Sequence, residues 1–130
     1  MKSIISLLLL LGASNTSLAS QKLALVEILF LNPGQNIEST EAFFAKAYKI
    51  SQRYGSEPIA GMQLKKWLHG GSQGIYNADF IVGSQFPSQA AMNKMLREDK
   101  DYDALLFEKD ALFDSSKTII FVVEPMQTPD

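Results

Sequence analysis

The sequence predicts one α+β domain in which two strand–helix–strand units follow each other and build a single antiparallel sheet. Three observations predict it. Four apolar segments of strand length alternate with amphipathic helical patterns, and Gly, Pro, Asn or Ser residues lie at their borders. The first and last strand segments are also apolar at both odd and even positions. Such strands are covered on both sides, so we expect no solvent-facing side on this sheet.

The first predicted strand is Leu23–Leu31, and Asn32-Pro33-Gly34 ends it with turn residues. A helix follows that can be capped by Asn36 or Ser39 and runs to about Tyr54. Its apolar stripe has helical spacing. The stripe consists of Phe43, Phe44, Ala47, Tyr48, Ile50 and Tyr54.

Gly55 is placed to end this helix in a left-handed conformation. The second predicted strand is Ile59–His69, which Gly70-Gly71 closes, and the third lies within Asn77–Phe86. Ser88 then follows as the cap of a second helix. One face of that helix carries Ala91, Met92, Met95 and Leu96.

An acidic break at Asp99-Lys100-Asp101 separates the second helix from a short third one, and Thr118–Val123 is the last predicted strand. The third helix bears Tyr102, Leu105, Leu106 and Phe113. The order predicts a ferredoxin-like βαββαβ sandwich, a four-stranded antiparallel sheet with the helices on one face. Since that leaves the other apolar face bare, we expect a second copy to cover it in a homodimer.

Residues 1–19 have the features of a signal peptide that is removed on export. Met1-Lys2 is a positive start, Ile4–Gly12 is an apolar core, and Ser17-Leu18-Ala19 supplies the small residues before the cut, which follows Ala19 or Ser20. The apolar run is shorter than the roughly 20 residues that span a membrane. We therefore expect a periplasmic or secreted protein whose single domain covers residues 20–130, with no membrane span after signal removal.

Composition excludes several classes of function. Without its leader the chain has 11 basic and 14 acidic residues, which argues against nucleic acid or anionic lipid as the main partner. It has no cysteine, so disulfides, thiolate metal sites and thiol catalysis are excluded. It also has no phosphate-binding loop, which removes ATP and nicotinamide, and we predict no cofactor.

With these elements the chain resembles the dimeric α/β-barrel superfamily, and within it the uncharacterised DUF1330 group. The resemblance covers about Leu23 to Glu124 and depends on the first strand and on four local motifs. The motifs are Arg53-Tyr54-Gly55, Gly70-Gly71, Phe86-Pro87-Ser88 before Ala90-Ala91, and Tyr102. Two features depart from the group: a longer second strand, and Phe107-Glu108-Lys109 where an arginine is expected. The resemblance implies a ligand pocket between helices and sheet or inside the barrel. It implies no single activity, since the superfamily contains monooxygenases, isomerases, haem-degrading enzymes and binding proteins.

Four residues are candidates for a site. If Phe80 and Leu64 face the helices, strand alternation predicts that Trp67, His69 and Asp79 face away from them, and Glu27 could join this group. Glu27, His69 and Asp79 are candidate catalytic residues, with the carboxylates as general bases and His69 as a proton shuttle. Trp67 is a candidate ligand-stacking residue.

Each of these residues also has a structural interpretation. Glu27 can be a half-buried carboxylate paired with a lysine or a backbone group, His69 an exposed histidine at a strand end, and Trp67 an interface residue. A site requires that they converge, which fails if Glu27 and Asp79 lie on opposite sides of the sheet.

Metal and haem sites are disfavoured by the sequence. Asp99, Asp101, Asp103 and Asp110 have the spacing of part of a calcium loop, but Ala104 stands where that loop needs glycine. The only histidine lies on a predicted strand, so the second helix offers no axial haem ligand. We predict no metal site.

Three functions remain open from the sequence. The first is a non-catalytic module that binds a small apolar ligand, because the fold forms apolar cavities and no catalytic constellation is convincing. The second is a cofactor-independent monooxygenase or isomerase that uses the candidate residues. The third is a structural dimer with no ligand pocket.

Overall fold

The computed structural model describes residues 21–63 and 78–126, with the backbone alone for residues 60–63. The predicted signal peptide lies outside this range, as do Trp67 and His69. The elements are, in order, β1 (Leu23–Leu29), α1 (Ile37–Gln52), β2 (Glu57–Gln63), β3 (Phe80–Phe86), α2 (Gln89–Glu98), α3 (Lys100–Leu112) and β4 (Ile119–Val123). None of the helices in these ranges is long and apolar enough to cross a membrane.

The four strands form one antiparallel sheet in the order β2-β3-β1-β4. The two central strands, β1 and β3, are therefore not neighbours in sequence, which is the ferredoxin-like arrangement. The predicted fold class is confirmed.

The register decides which residues face the helices. Leu23 pairs with Phe86 and Leu29 with Phe80, and all four belong to the buried core that the helices cover. From the helices this core receives Phe43, Ile50, Met92, Met95, Leu105, Leu112 and Phe113. Since side chains alternate along a strand, the odd-numbered residues of β1 face the helices and the even-numbered ones face away.

The helix boundaries follow from side-chain caps, of which the sequence predicts those at Asn36 and Ser88. Asn36 caps α1 in a reciprocal pair with Ser39, the Ser88 side chain accepts from the Ala91 amide, and the Asp99 side chain accepts from the Tyr102 amide. Gly55 has a φ of 75° and follows α1 as predicted.

β1 ends two residues earlier than the sequence predicts, because Phe30 and Leu31 bond outside the sheet. The Phe30 carbonyl accepts from the amide of Asp114, and the Leu31 amide donates to the Asp79 carboxylate at 2.7 Å. β2 begins at Glu57, two residues before the predicted start, because Glu57 pairs with Gln85 of β3.

Candidate functional site

The main cavity lies between the helix-facing side of the sheet and helices α1 and α3, and its volume is about 500 Å³. Most of its lining is apolar. The sheet contributes Leu25, Phe80 and Val82, and the helices contribute Ile37, Phe43, Phe44, Ala47, Tyr48, Leu105 and Leu106. The rings of Phe43, Phe44 and Phe80 pack edge to face, with centroid separations of 5.3 Å for Phe43–Phe44 and for Phe44–Phe80. This aromatic cluster gives the cavity a rigid end.

An ion pair lies in the lining of this mostly apolar cavity, which also includes Ser51 and Ser84. Glu27 points from the middle of β1 toward the helices, and the Lys109 ammonium of α3 donates to its carboxylate. The side chains are 19% and 9% exposed, respectively. Each charge therefore depends on the other for compensation, because a half-buried charge without a partner is costly.

Tyr102 adds a phenol group to the lining of the main cavity. Burial, and secondarily the negative charges of Glu27 and Asp103, raise the pKa of the Tyr102 phenol above its ordinary value. The hydroxyl is therefore protonated at neutral pH. Within the described ranges 21–63 and 78–126, its oxygen makes no hydrogen bond, although its backbone amide bonds Asp99. It can donate to a bound molecule.

A second, smaller cavity borders the same ion pair. Its volume is about 280 Å³, and it lies between α3 and β4, with Thr118 and Ile120 in its lining. Leu106 and Lys109 line both cavities. The Glu27–Lys109 pair therefore joins the sheet to α3 at the border of the main cavity.

The structure separates two of the predicted site residues. Glu27 pairs with Val82 in the sheet register and faces the helices, whereas Asp79 lies just before β3, where its carboxylate meets the end of β1. The structure does not bring the two carboxylates together, because Glu27 pairs with Lys109 and Asp79 bonds the Leu31 amide, four residues further along the chain. That Asp79 faces away from the helices stays a prediction. Its carboxylate accepts from the Leu31 amide and fixes the start of β3 against the end of β1.

The paired interpretation of Glu27 agrees with the structure, and its partner is Lys109. The roles of Glu27 and Asp79 as bases stay predictions, and Trp67 and His69 lie outside the described residues. Sequence reasoning missed Lys109 and the hydroxyl of Tyr102. The available signal for Lys109 was its spacing from Tyr102 and Leu105, seven and four residues earlier in the chain, which puts all three on one helix face.

Comparison with solved structures supports the fold. An RPA0582 protein of unknown function from Rhodopseudomonas palustris is 17% identical, with a TM-score of 0.68 over 84% of this chain and 85% of that one. A dabb family protein with a ferredoxin-like fold from Mesorhizobium loti is 14% identical, with a TM-score of 0.61 over 82% and 98%. SnoaB, a cofactor-independent oxygenase from Streptomyces nogalater, is 11% identical, with a TM-score of 0.58 over 83% and 96%.

These likenesses show the fold of ferredoxin-like dimeric α/β-barrel proteins, and they include both a protein of unknown function and an enzyme. No family model and no curated protein matches the chain. The function must therefore be argued from the site.

Proposed function

We propose that this protein is a small exported binding protein that takes a largely apolar small molecule into its main cavity. The observation that carries the proposal is the lining: aliphatic and aromatic side chains form most of the wall of a half-open cavity of about 500 Å³, and an ion pair and a few hydroxyl groups interrupt them. Small-molecule sites typically have volumes of about 300–1,000 Å³, apolar linings and a few polar groups that orient the ligand. This cavity has each of those properties.

The experiment is a fluorescence titration with N-phenyl-1-naphthylamine, an uncharged probe that emits strongly in apolar surroundings. We expect saturable binding of one probe per chain. Ala47→Phe fills the cavity from α1 and should weaken binding at least about tenfold, which is about 1.4 kcal/mol.

The matched control is Ala45→Phe, which adds the same ring at an exposed position of the same helix and should leave binding unchanged. Urea unfolding of both variants checks that they fold. No saturable signal with the unaltered protein, or equal effects of the two variants, would contradict the proposal.

A cofactor-independent oxygenase or isomerase is the second candidate. It is supported by the Glu27 carboxylate and the Tyr102 hydroxyl, a base and a proton donor in one apolar cavity. SnoaB, which has the same fold, is a cofactor-independent oxygenase. Incubation with an enolisable aromatic ketone such as 2-tetralone in air tests this candidate by mass spectrometry. An unchanged mass argues against oxygenation, and an unchanged chromatographic retention time argues against isomerisation, which leaves the mass the same.

A homodimer is also part of the proposal, through the sheet face that no helix of the described residues covers, called here the uncovered face. The even-numbered residues of β1 and their neighbours make this face apolar, and Ile59, Ile119, Phe121 and Val123 are exposed on it. Exposed apolar patches of this kind are typical of protein interfaces. A symmetric partner that offers the same patch would bury it. The interpretation as a purely structural dimer has less support, because the helix side holds a cavity.

Export and the narrower family assignment rest on the sequence. Residues 1–19 support a periplasmic or secreted location, and the intact mass of the protein recovered from the periplasm or medium tests it. The DUF1330 assignment is supported by Arg53-Tyr54-Gly55 and Phe86-Pro87-Ser88.

A further inference from the structure

We infer that the Glu27–Lys109 pair makes the main cavity select uncharged ligands that carry a hydroxyl or carbonyl group, and that these two residues determine this charge selectivity. The inference rests on the proposed function, because it describes the ligand of the same cavity. It names two specificity-determining residues that act as a unit and a class of ligand that they admit.

The argument begins with charge compensation. Glu27 and Lys109 neutralise each other, and both side chains are largely withdrawn from water, being 19% and 9% exposed. A carboxylate ligand that bound Lys109 would have to displace Glu27 or lie beside its like charge. An ammonium ligand that bound Glu27 would have to displace Lys109 or lie beside its like charge. Binding of either ion therefore replaces the Glu27–Lys109 pair with a pair that includes the ligand. One charge is then left without a counter-ion in an apolar site.

The second step concerns the polar group that remains available. Tyr102 lines the cavity, and its hydroxyl keeps its proton at neutral pH and makes no hydrogen bond among the residues that the structure describes. It can donate to a carbonyl or hydroxyl oxygen without disturbing the ion pair. An uncharged ligand with one such oxygen therefore satisfies Tyr102 while its apolar part contacts the aromatic cluster.

The test uses three naphthalene ligands of similar shape and different charge at pH 7: 2-naphthol, 2-naphthoate and 2-naphthylmethylammonium. Calorimetry or displacement of the fluorescent probe gives the dissociation constants. With the unaltered protein we expect 2-naphthol to bind at least about tenfold more tightly than either ion, which corresponds to about 1.4 kcal/mol. Tyr102→Phe should weaken the binding of 2-naphthol several-fold and leave the binding of the apolar probe unchanged.

The decisive variants reverse the preference in opposite directions. Glu27→Gln leaves Lys109 without a counter-ion and should make 2-naphthoate the tightest ligand. Lys109→Met leaves Glu27 without one and should make the ammonium ligand the tightest. If the pair were merely structural, each single variant would weaken the binding of all three ligands together.

The double variant Glu27→Gln with Lys109→Met is the control for loss of folding in the single variants. It carries neither charge, so it should fold and again prefer 2-naphthol over both ions. The inference is overturned if the unaltered protein binds 2-naphthoate or the ammonium as tightly as 2-naphthol, or if the single variants keep its order of affinities. If neither the naphthalene ligands nor the fluorescent probe binds, the proposed function is overturned as well. If the probe binds but the expected order of affinities is absent, only the inference on charge selectivity is overturned.

Discussion

Asp99 connects three parts of the chain through one side chain. It accepts from the Tyr102 amide at 2.8 Å as the cap of α3, from the Tyr54 hydroxyl at 2.5 Å, and more distantly from Arg53 at 3.5 Å. Burial alone would raise the pKa of Asp99, but the bonds from Tyr54 and Tyr102 and the charge of Arg53 outweigh it. The net result is a lowered pKa, so the folded state favours the ionised form.

A pH-dependent contribution to stability follows from the lowered pKa of Asp99. It is fully present above the unfolded pKa, about 3.9, and is lost as pH falls through the lower folded value. We expect Asp99→Asn to lower the free energy of unfolding by about 1–2 kcal/mol at pH 7. The difference from the unaltered protein should shrink below about pH 4. Urea unfolding at a series of pH values measures it.

The control for Asp99 is Asp101→Asn. Asp101 also bonds Arg53, at 2.6 Å, but its side chain is 64% exposed. Exposed pairs contribute little, so we expect a loss of less than about 0.5 kcal/mol at neutral pH. A loss at Asp101 as large as that at Asp99 would refute the role assigned to burial and the Tyr54 bond.

At the residue scale, the sequence predicts the type of contact that a residue makes better than it predicts which residue it contacts. A half-buried Glu27 paired with a lysine follows from one charge within an apolar strand, because such a charge needs compensation. That the partner is Lys109, 82 positions away, depends on how α3 crosses the sheet. The local sequence of β1 holds no information on that crossing.

At the scale of elements, the junction between α1 and β2 depends on a glycine. The Gly55 amide donates to Gln52 and the Ser56 amide to Ser51, the two hydrogen bonds of a Schellman motif. Gly55 is left-handed, and a Cβ built on it would lie 3.2 Å from Cγ of Pro87. The turn before β2 thus packs against the turn before α2.

Substitution of Gly55 should therefore combine two costs, backbone strain and contact with Pro87. Gly34 separates them, because its φ is 86° and a Cβ there would meet nothing within 4 Å. We expect Gly34→Ala to cost about 1–2 kcal/mol from strain alone. Gly55→Ala should cost measurably more in the same urea titration. Equal losses in the free energy of unfolding for the two variants would show that Pro87 moves away from the new Cβ at no energetic cost.

Elements were predictable where local chemistry determines them. Asn36, Gly55 and Ser88 were read as helix termini from residue type, because caps and left-handed positions restrict the side chain allowed. The end of β1 was not predictable. It depends on Asp79 and Asp114, which compete for backbone groups that the apolar pattern alone would extend into the sheet.

For the whole molecule, the uncovered face of the sheet predicts an oligomeric state. Phe121 lies in the row formed with Val26 and Gly83 across the sheet and is 40% exposed. If a second copy covers this face, Phe121→Lys places a charge in the interface. We expect light scattering at micromolar concentration to find a dimer for the unaltered protein and a monomer for this variant.

The control carries the same substitution on the helical side of the molecule. Phe107 belongs to α3 and is 82% exposed, so Phe107→Lys should leave the dimer intact. A monomer for the unaltered protein would remove the dimer from the proposal and leave the cavity argument standing, since all its described lining comes from one chain.

The complete fold was more accessible from the sequence than the site. The order of periodicities determines the strand and helix order, and few topologies satisfy it. The site depends instead on which face each polar residue occupies. The face of Glu27 could not be predicted, because a strand that is apolar on both sides leaves no pattern that orients its one charged residue.

The alternation of β1 has a consequence for how this chain can evolve. Leu25 and Glu27 belong to the cavity, while Val26 and Ile28 belong to the uncovered face, although all four are consecutive. Point substitutions can therefore change what the protein binds and what it associates with independently. Insertion or deletion of one residue within β1 would exchange the two sets at once and move Glu27 out of reach of Lys109. Among descendants of this sequence, the length of this strand should be far less variable than the identity of its residues.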